Sequence, residues 1–157
     1  MVSVLCVVGY KDVGKTTVME GLIKAFTERG LRVGTVKHHG GGGSFEPPLV
    51  DTARHRRAGA ACSLVSSRHG WSLVVEEEWP LERLLELVGA LGVDLVLVEG
   101  YKRAPYPKVE VVGPDGRRAC LGDPHLLAVI GPATAEVPRF DRDEVGKLAS
   151  YVLERVT

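Results

Sequence analysis

Gly9, Gly14, Lys15 and Thr16 stand in the order G-x-x-x-x-G-K-[ST] directly after an apolar run. Those residue types at that spacing can cradle a polyphosphate. Glycines let backbone N–H groups converge on phosphate oxygens without obstruction by a Cβ atom. A helix starting at the loop adds the partial positive charge of its N-terminus. Lys15 is placed to reach β- and γ-phosphates, and the Thr16 hydroxyl is a hard oxygen ligand for Mg²⁺. A plain strand-to-helix turn needs neither the lysine nor the threonine, so the spacing predicts a nucleoside triphosphate site. The loop interior, Tyr10, Lys11, Asp12 and Val13, replaces the small residues common there. Lys11 is either a further phosphate contact or a solvated side chain. Asp12 sets a carboxylate close to the phosphates, where it pairs with a lysine or assists the metal.

Such a site also needs an acidic residue at the end of a neighbouring strand, to hold Mg²⁺ directly or through water. Glu99 follows the apolar run "VDLVLV" and precedes Gly100, so it is expected at a strand's carboxyl end, the edge where open α/β sheets bind ligands. Asp94, at the other end of that run, faces away. Asp51 is the second candidate for metal or water, its alternative role being a helix N-cap. Glu99 or Asp51 would also be the group that orients an attacking water. Lys37-His38-His39 ends another strand at the same edge. Adjacent side chains leave a strand on opposite sides, which argues against zinc and for Lys37 or His38 meeting a substrate phosphate. Arg54, Arg56 and Arg57 form a basic cluster, read either as a solvated helix face or as a phosphate or pterin contact, with Arg54 a candidate arginine finger.

The elements that must position these residues are legible from hydrophobic periodicity. Val2–Val8 is an uninterrupted apolar run suited to a strand buried on both faces. Thr16–Arg29 carries a helical stripe, Val18, Met19, Leu22, Ile23 and Phe26, and stops at Gly30. Leu31–Val36 is a second strand, completing a βαβ unit. His39–Val50, with four glycines and two prolines, reads as a loop, and a short basic helix runs to Ala58. Further strands are expected over Ala60–Ser66, Trp71–Val75, Val93–Val98 and Leu126–Ile130. Helices are expected over Pro80–Leu91 and Arg142–Val156. Lys108–Val112 and Arg117–Leu121 flank Gly-Pro-Asp-Gly and suggest a β-hairpin whose edge strand could pair with a second copy. The fold class is α/β: a three-layer P-loop NTPase fold with a mostly parallel sheet and an added β-hairpin, in one domain spanning residues 1–157.

Composition bounds the partners. Twenty basic residues balance twenty acidic ones, so no global field argues for nucleic acid or an anionic membrane. No apolar stretch approaches membrane length. The three cysteines, Cys6, Cys62 and Cys120, lack metal-ligand spacing and read as small core residues of a reducing, cytoplasmic compartment. The chain contains neither Asn nor Gln, where about ten would be usual at this length, as in a thermophile's sequence.

Taken together, "GYKDVGKTT", "GLRVGTVKHH", "DTARHRRAGA", "DLVLVEGYK" and "PKVEV" resemble the molybdopterin-guanine dinucleotide biosynthesis protein B (MobB) family over nearly the whole length. The resemblance implies a GTP-binding homodimer with feeble GTPase activity. It would act as an adapter in the last steps of molybdenum cofactor synthesis, beside a partner nucleotidyltransferase (protein A of that pathway) and molybdopterin. It implies that Gly9, Gly14, Lys15, Thr16 and Thr17 bind phosphates and Mg²⁺, with Asp51 and Glu99 approaching the metal. Where the family usually carries Asp-x-Pro-Gly-Lys-Asp, residues Glu46–Asp51 keep the last aspartate and lose the lysine.

The residues themselves leave the base open. The Asn-Lys-x-Asp reader of guanine is impossible without Asn, which leaves the loop after Leu126–Ile130, with Glu136 or Asp141 as acceptors. Without Gln to orient water, hydrolysis should be slow. Two other readings use the same loop. One is a small-molecule kinase using ATP, with Lys37, His38 and Lys102 around the acceptor; the other is a nucleotide-binding regulatory subunit without turnover.

Overall fold

The computed structural model describes residues 1–40 and 50–157. Residues 41–49, most of the loop expected over His39–Val50, lie outside that description, and with them residues 46–49 of the segment that departs from the family pattern. The chain forms two compact units, Met1–His39 with Leu81–Thr157, and Gly40–Pro80.

The larger unit carries β1 (Ser3–Val8), α1 (Lys15–Glu28), β2 (Val33–Lys37), and the smaller α2 (Val50–Arg57), β3 (Cys62–Ser67) and β4 (Gly70–Val75). The larger unit resumes with α3 (Leu81–Gly89), β5 (Leu95–Glu99), β6 (Lys108–Val111), β7 (Leu126–Ile130), β8 (Arg139–Phe140) and α4 (Val145–Val156). Its sheet runs β2-β5-β1-β6-β7-β8, with every neighbouring pair parallel. Alternate side chains of these strands enter two cores, as the pleat requires. Leu5, Val7, Leu97, Val109 and Ile130 pack under α1 and α4 with Leu22, Phe26 and Leu148. Val4, Cys6, Val96 and Val98 pack on the other face against Leu81 and Leu85 of α3. These are the three layers of a P-loop NTPase fold. The apolar stripe read in α1 is the face it buries, and the helix stops at Gly30, where Leu31 N–H donates to Phe26 O.

Three expectations are corrected. Residues 117–121 form no strand, so no hairpin exists at Lys108–Leu121. β6 lies inside the sheet between β1 and β7 and has no free edge to offer a second copy. Lys108 and Glu110 are 1% and 0% exposed. Lys108 Nζ donates to Lys102 O, Ala104 O and Asp123 Oδ2, and Glu110 meets Arg118 and the N–H groups of Ala119 and Cys120. The antiparallel hairpin is instead β3–β4, two strands the sequence separated without pairing. Finally, Cys6 and Cys120 are buried but Cys62 is exposed on that hairpin. Burial pushes the Cys6 thiol up to about 11, with Lys108 opposing the shift.

Among the described residues, no helix is long and apolar enough to cross a membrane.

Candidate phosphate-binding site

The loop from Gly9 to Thr16 bridges the end of β1 and the start of α1. Two of its positions require glycine. Gly9 has φ +150°, and a Cβ there would lie 2.5 Å from Val111 O. Gly14 has φ +94°, and its Cβ would lie 2.6 Å from Arg142 Nη1. Asp12 also takes the left-handed region, at φ 61°, which short polar side chains tolerate best after glycine. It is exposed and, among the described residues, forms no ion pair, so the lysine partner expected for it is not seen. Gly14 caps α1 without a side-chain bond, leaving the first N–H groups of the helix for whatever sits above them. Lys15 arches over the loop and donates from Nζ to Gly9 O at 2.9 Å.

Strand register brings the acid to this loop. β5 pairs with both β1 and β2, and Glu99 lies opposite Val7 on one side and Lys37 on the other. Thr16 Oγ1 donates to Glu99 Oε1 at 3.0 Å, while Lys37 Nζ sits 3.2 Å from Oε2. Glu99 is 7% exposed and Lys37 is mostly in water, so a nearly buried carboxylate is flanked by a hydroxyl and a cation. Two hard oxygens meeting at the end of a phosphate loop suit Mg²⁺, which takes one or two protein oxygens and completes its shell with phosphate and water.

Lys102 and His38 line the same edge. Lys102 Nζ lies 5.7 Å from the Tyr10 ring centroid, and the Arg117 guanidinium 4.2 Å from it. The His38 ring packs at 4.6 Å on Tyr101, and its N–H extends the ladder to Glu99 O. Val13 is half-buried against the core, whereas Thr17 is exposed. Asp51 and Arg54 belong to the smaller unit, both exposed on α2. The basic cluster there divides. Arg56 is 7% exposed and bonds to Glu76 Oε1 at 2.6 Å and to Ser63, so it is a core group of its unit and neither a solvated cation nor a phosphate contact.

Sequence reading missed two groups. Arg142, just before α4, donates from Nη2 to Val13 O and to Val112 O (2.8 Å). Arg118 joins Glu110 to Glu136 and pushes the Glu136 carboxyl down to about 2, helped by Gly122 N–H. Glu136, considered as a guanine acceptor, thus already has both oxygens bonded. Asp141 is paired with Arg139 at 2.8 Å. No local pattern marks Arg142, because it acts on a segment far away in the chain.

The profile of the family described as "Molybdopterin guanine dinucleotide synthesis protein B", MobB, matches residues 4–132. This chain belongs to the MobB family. A Bacillus subtilis relative named as a probable molybdopterin-guanine dinucleotide biosynthesis adapter protein is 38% identical over 79% of this chain and 73% of its own. The Escherichia coli adapter protein of that name is 33% identical over 98% of this chain and 93% of its own. Among solved structures, Bacillus subtilis MobB superimposes with a TM-score of 0.83 at 31% identity, covering 99% of this chain and 98% of that one. A MobB homologue from Bacillus stearothermophilus gives 0.75 at 33% identity, with 98% and 97% covered. The family profile ends before Arg139 and Arg142, but the Escherichia coli relative and both solved structures extend over nearly the whole chain.

Proposed function

We propose that this chain binds GTP with Mg²⁺ at the Gly9–Thr17 loop and acts as an adapter in molybdopterin guanine dinucleotide biosynthesis, hydrolysing the nucleotide slowly. The observation that carries the reading is the meeting of Thr16 and Lys37 on Glu99, beside a glycine cradle spanned by Lys15. Thr16 and Glu99 would hold the metal. Mg²⁺, when bound, supplies charge neutralisation on the phosphates. Lys15 and the loop N–H groups bind the phosphates, while Lys37, His38 and Lys102 face the same edge. Slow turnover follows from the lack of any Gln to orient water. The nucleotidyltransferase of the pathway and molybdopterin are the proposed partners. Calorimetric titration of GTP and ATP, with and without Mg²⁺, tests the reading. GTP is expected to bind at least about tenfold tighter than ATP, a difference of about 1.4 kcal/mol, and to need Mg²⁺. Equal affinities or an ATP preference would remove the guanine assignment and favour the kinase reading.

The homodimer is proposed on a different surface from the one the sequence suggested. Leu64 and Leu73 are cross-strand partners on β3–β4, with Trp71 on the same face, and the three are 57%, 36% and 54% exposed. An apolar face of this kind on a small protein suits a self-complementary contact. Sedimentation should show a dimer that Trp71→Glu turns into a monomer; a wild-type monomer at micromolar concentration would remove the idea.

A further inference from the structure

We propose that Arg142 is a positioning residue for phosphate recognition, aiming the Val13–Gly14 peptide of the loop at the ligand from behind. The inference rests on the nucleotide reading above. A peptide's C=O and N–H point in opposite directions in one plane. Arg142 Nη2 grips Val13 O and Val112 O together, so the loop is tied to the end of β6 and the carbonyl is fixed. The Gly14 N–H must then point to the opposite side. In a loop of this type that side is the concave nest where successive N–H groups collect an anion. The left-handed Asp12 just before supplies the alternation of backbone conformation on which such a nest depends.

Two further observations separate this arrangement from ordinary surface packing. The guanidinium lies beside Gly14, where a Cβ would meet Nη1 at 2.6 Å. Arg142 also has, among the described residues, no carboxylate within ion-pair distance, whereas Arg139 is paired with Asp141, and Arg118 with Glu110 and Glu136. Its donors go to neutral carbonyls of the loop and of the chain just after β6. Lys15 faces the phosphates from above, and Arg142 sets the floor beneath them.

The test compares GTP with inorganic tripolyphosphate, by calorimetry, on wild type, Arg142→Met and Arg142→Lys, with thermal midpoints recorded alongside. Arg142→Met is expected to weaken both ligands by the same factor, about tenfold, the scale of one lost charge-assisted hydrogen bond. Arg142→Lys, which keeps the charge and one bond, should recover at least about a third of the lost affinity. The thermal midpoint should stay within about 3 °C, as expected for a side chain largely in water. Loss of GTP affinity with tripolyphosphate unaffected would place the guanidinium on base or ribose and overturn the proposal. Unchanged affinity for both would do the same. Wild type that binds neither ligand would overturn the nucleotide reading itself, and this inference with it.

Discussion

Lys15→Ala should lower affinity for Mg²⁺-GTP by at least about 100-fold while leaving the fold intact. The lysine ammonium donates to Gly9 O at 2.9 Å, a single neutral acceptor that holds it over the loop. A bound triphosphate offers it several charged oxygens instead. Each hydrogen bond to a charged group contributes about 1.5–3 kcal/mol, and two of them correspond to at least about 100-fold in affinity. The folded protein without ligand loses only one bond to a partly solvated carbonyl, about 1 kcal/mol. Calorimetry and a thermal melt on the same sample therefore read opposite sides of the argument. Binding within tenfold of wild type would show that the loop is not the nucleotide site.

Glu110→Ala should have the largest effect on stability, about 3–5 kcal/mol, the usual range when one partner of a buried ion pair is removed. Glu110 is wholly buried and accepts from Arg118 Nε at 2.8 Å and from two backbone N–H groups at Ala119 and Cys120. Truncation leaves those donors facing a space with no acceptor. Arg118 retains Glu136, which limits the damage on its side. Glu110→Gln, nearly isosteric, should recover about half the loss, because an amide oxygen still accepts but carries no charge. Denaturant unfolding measures both. A loss below about 1 kcal/mol for Glu110→Ala would mean that water replaces the carboxylate and that the network contributes little.

These two predictions mark where the sequence was informative. Lys15 was legible because the phosphate loop is contiguous and its residue types are dictated by one local geometry. Glu99 was legible for a related reason: an acid ending an apolar strand must emerge at the ligand-binding edge, and β5 then pairs beside β1. Glu110 was not marked. Alternating charged and apolar residues ordinarily mean one wet face, and only long-range partners, Arg118 and Asp123 among them, could show that this face is covered by loops instead of water. The same limit hid Arg142, whose carbonyl partners lie over a hundred residues away at Val13 and thirty at Val112. The Gly-Pro-Asp-Gly turn signal between residues 113 and 116 was real as a turn, but a turn does not specify that the chain beyond it returns as a strand. β3 and β4 were each found, yet their pairing depended on a two-residue connection at Arg68-His69 that carries no strong hairpin signature.

The order of the sheet also sets the order of events during synthesis. Ser3 pairs with Leu95 and Cys6 with Lys108, so β1 is synthesised long before either of its neighbours. At about 5–20 residues per second, its apolar side chains wait several seconds before either flank exists. The phosphate loop shares that delay although its own residues are adjacent in the chain, because Gly9 packs on the carbonyl of Val111 and Val13 is held by Arg142. A nascent chain therefore carries an exposed, sticky segment and an unformed loop until Val111 and Arg142 have emerged. The loop therefore takes its described geometry only once Val111 and Arg142, both distant in the chain, have joined it.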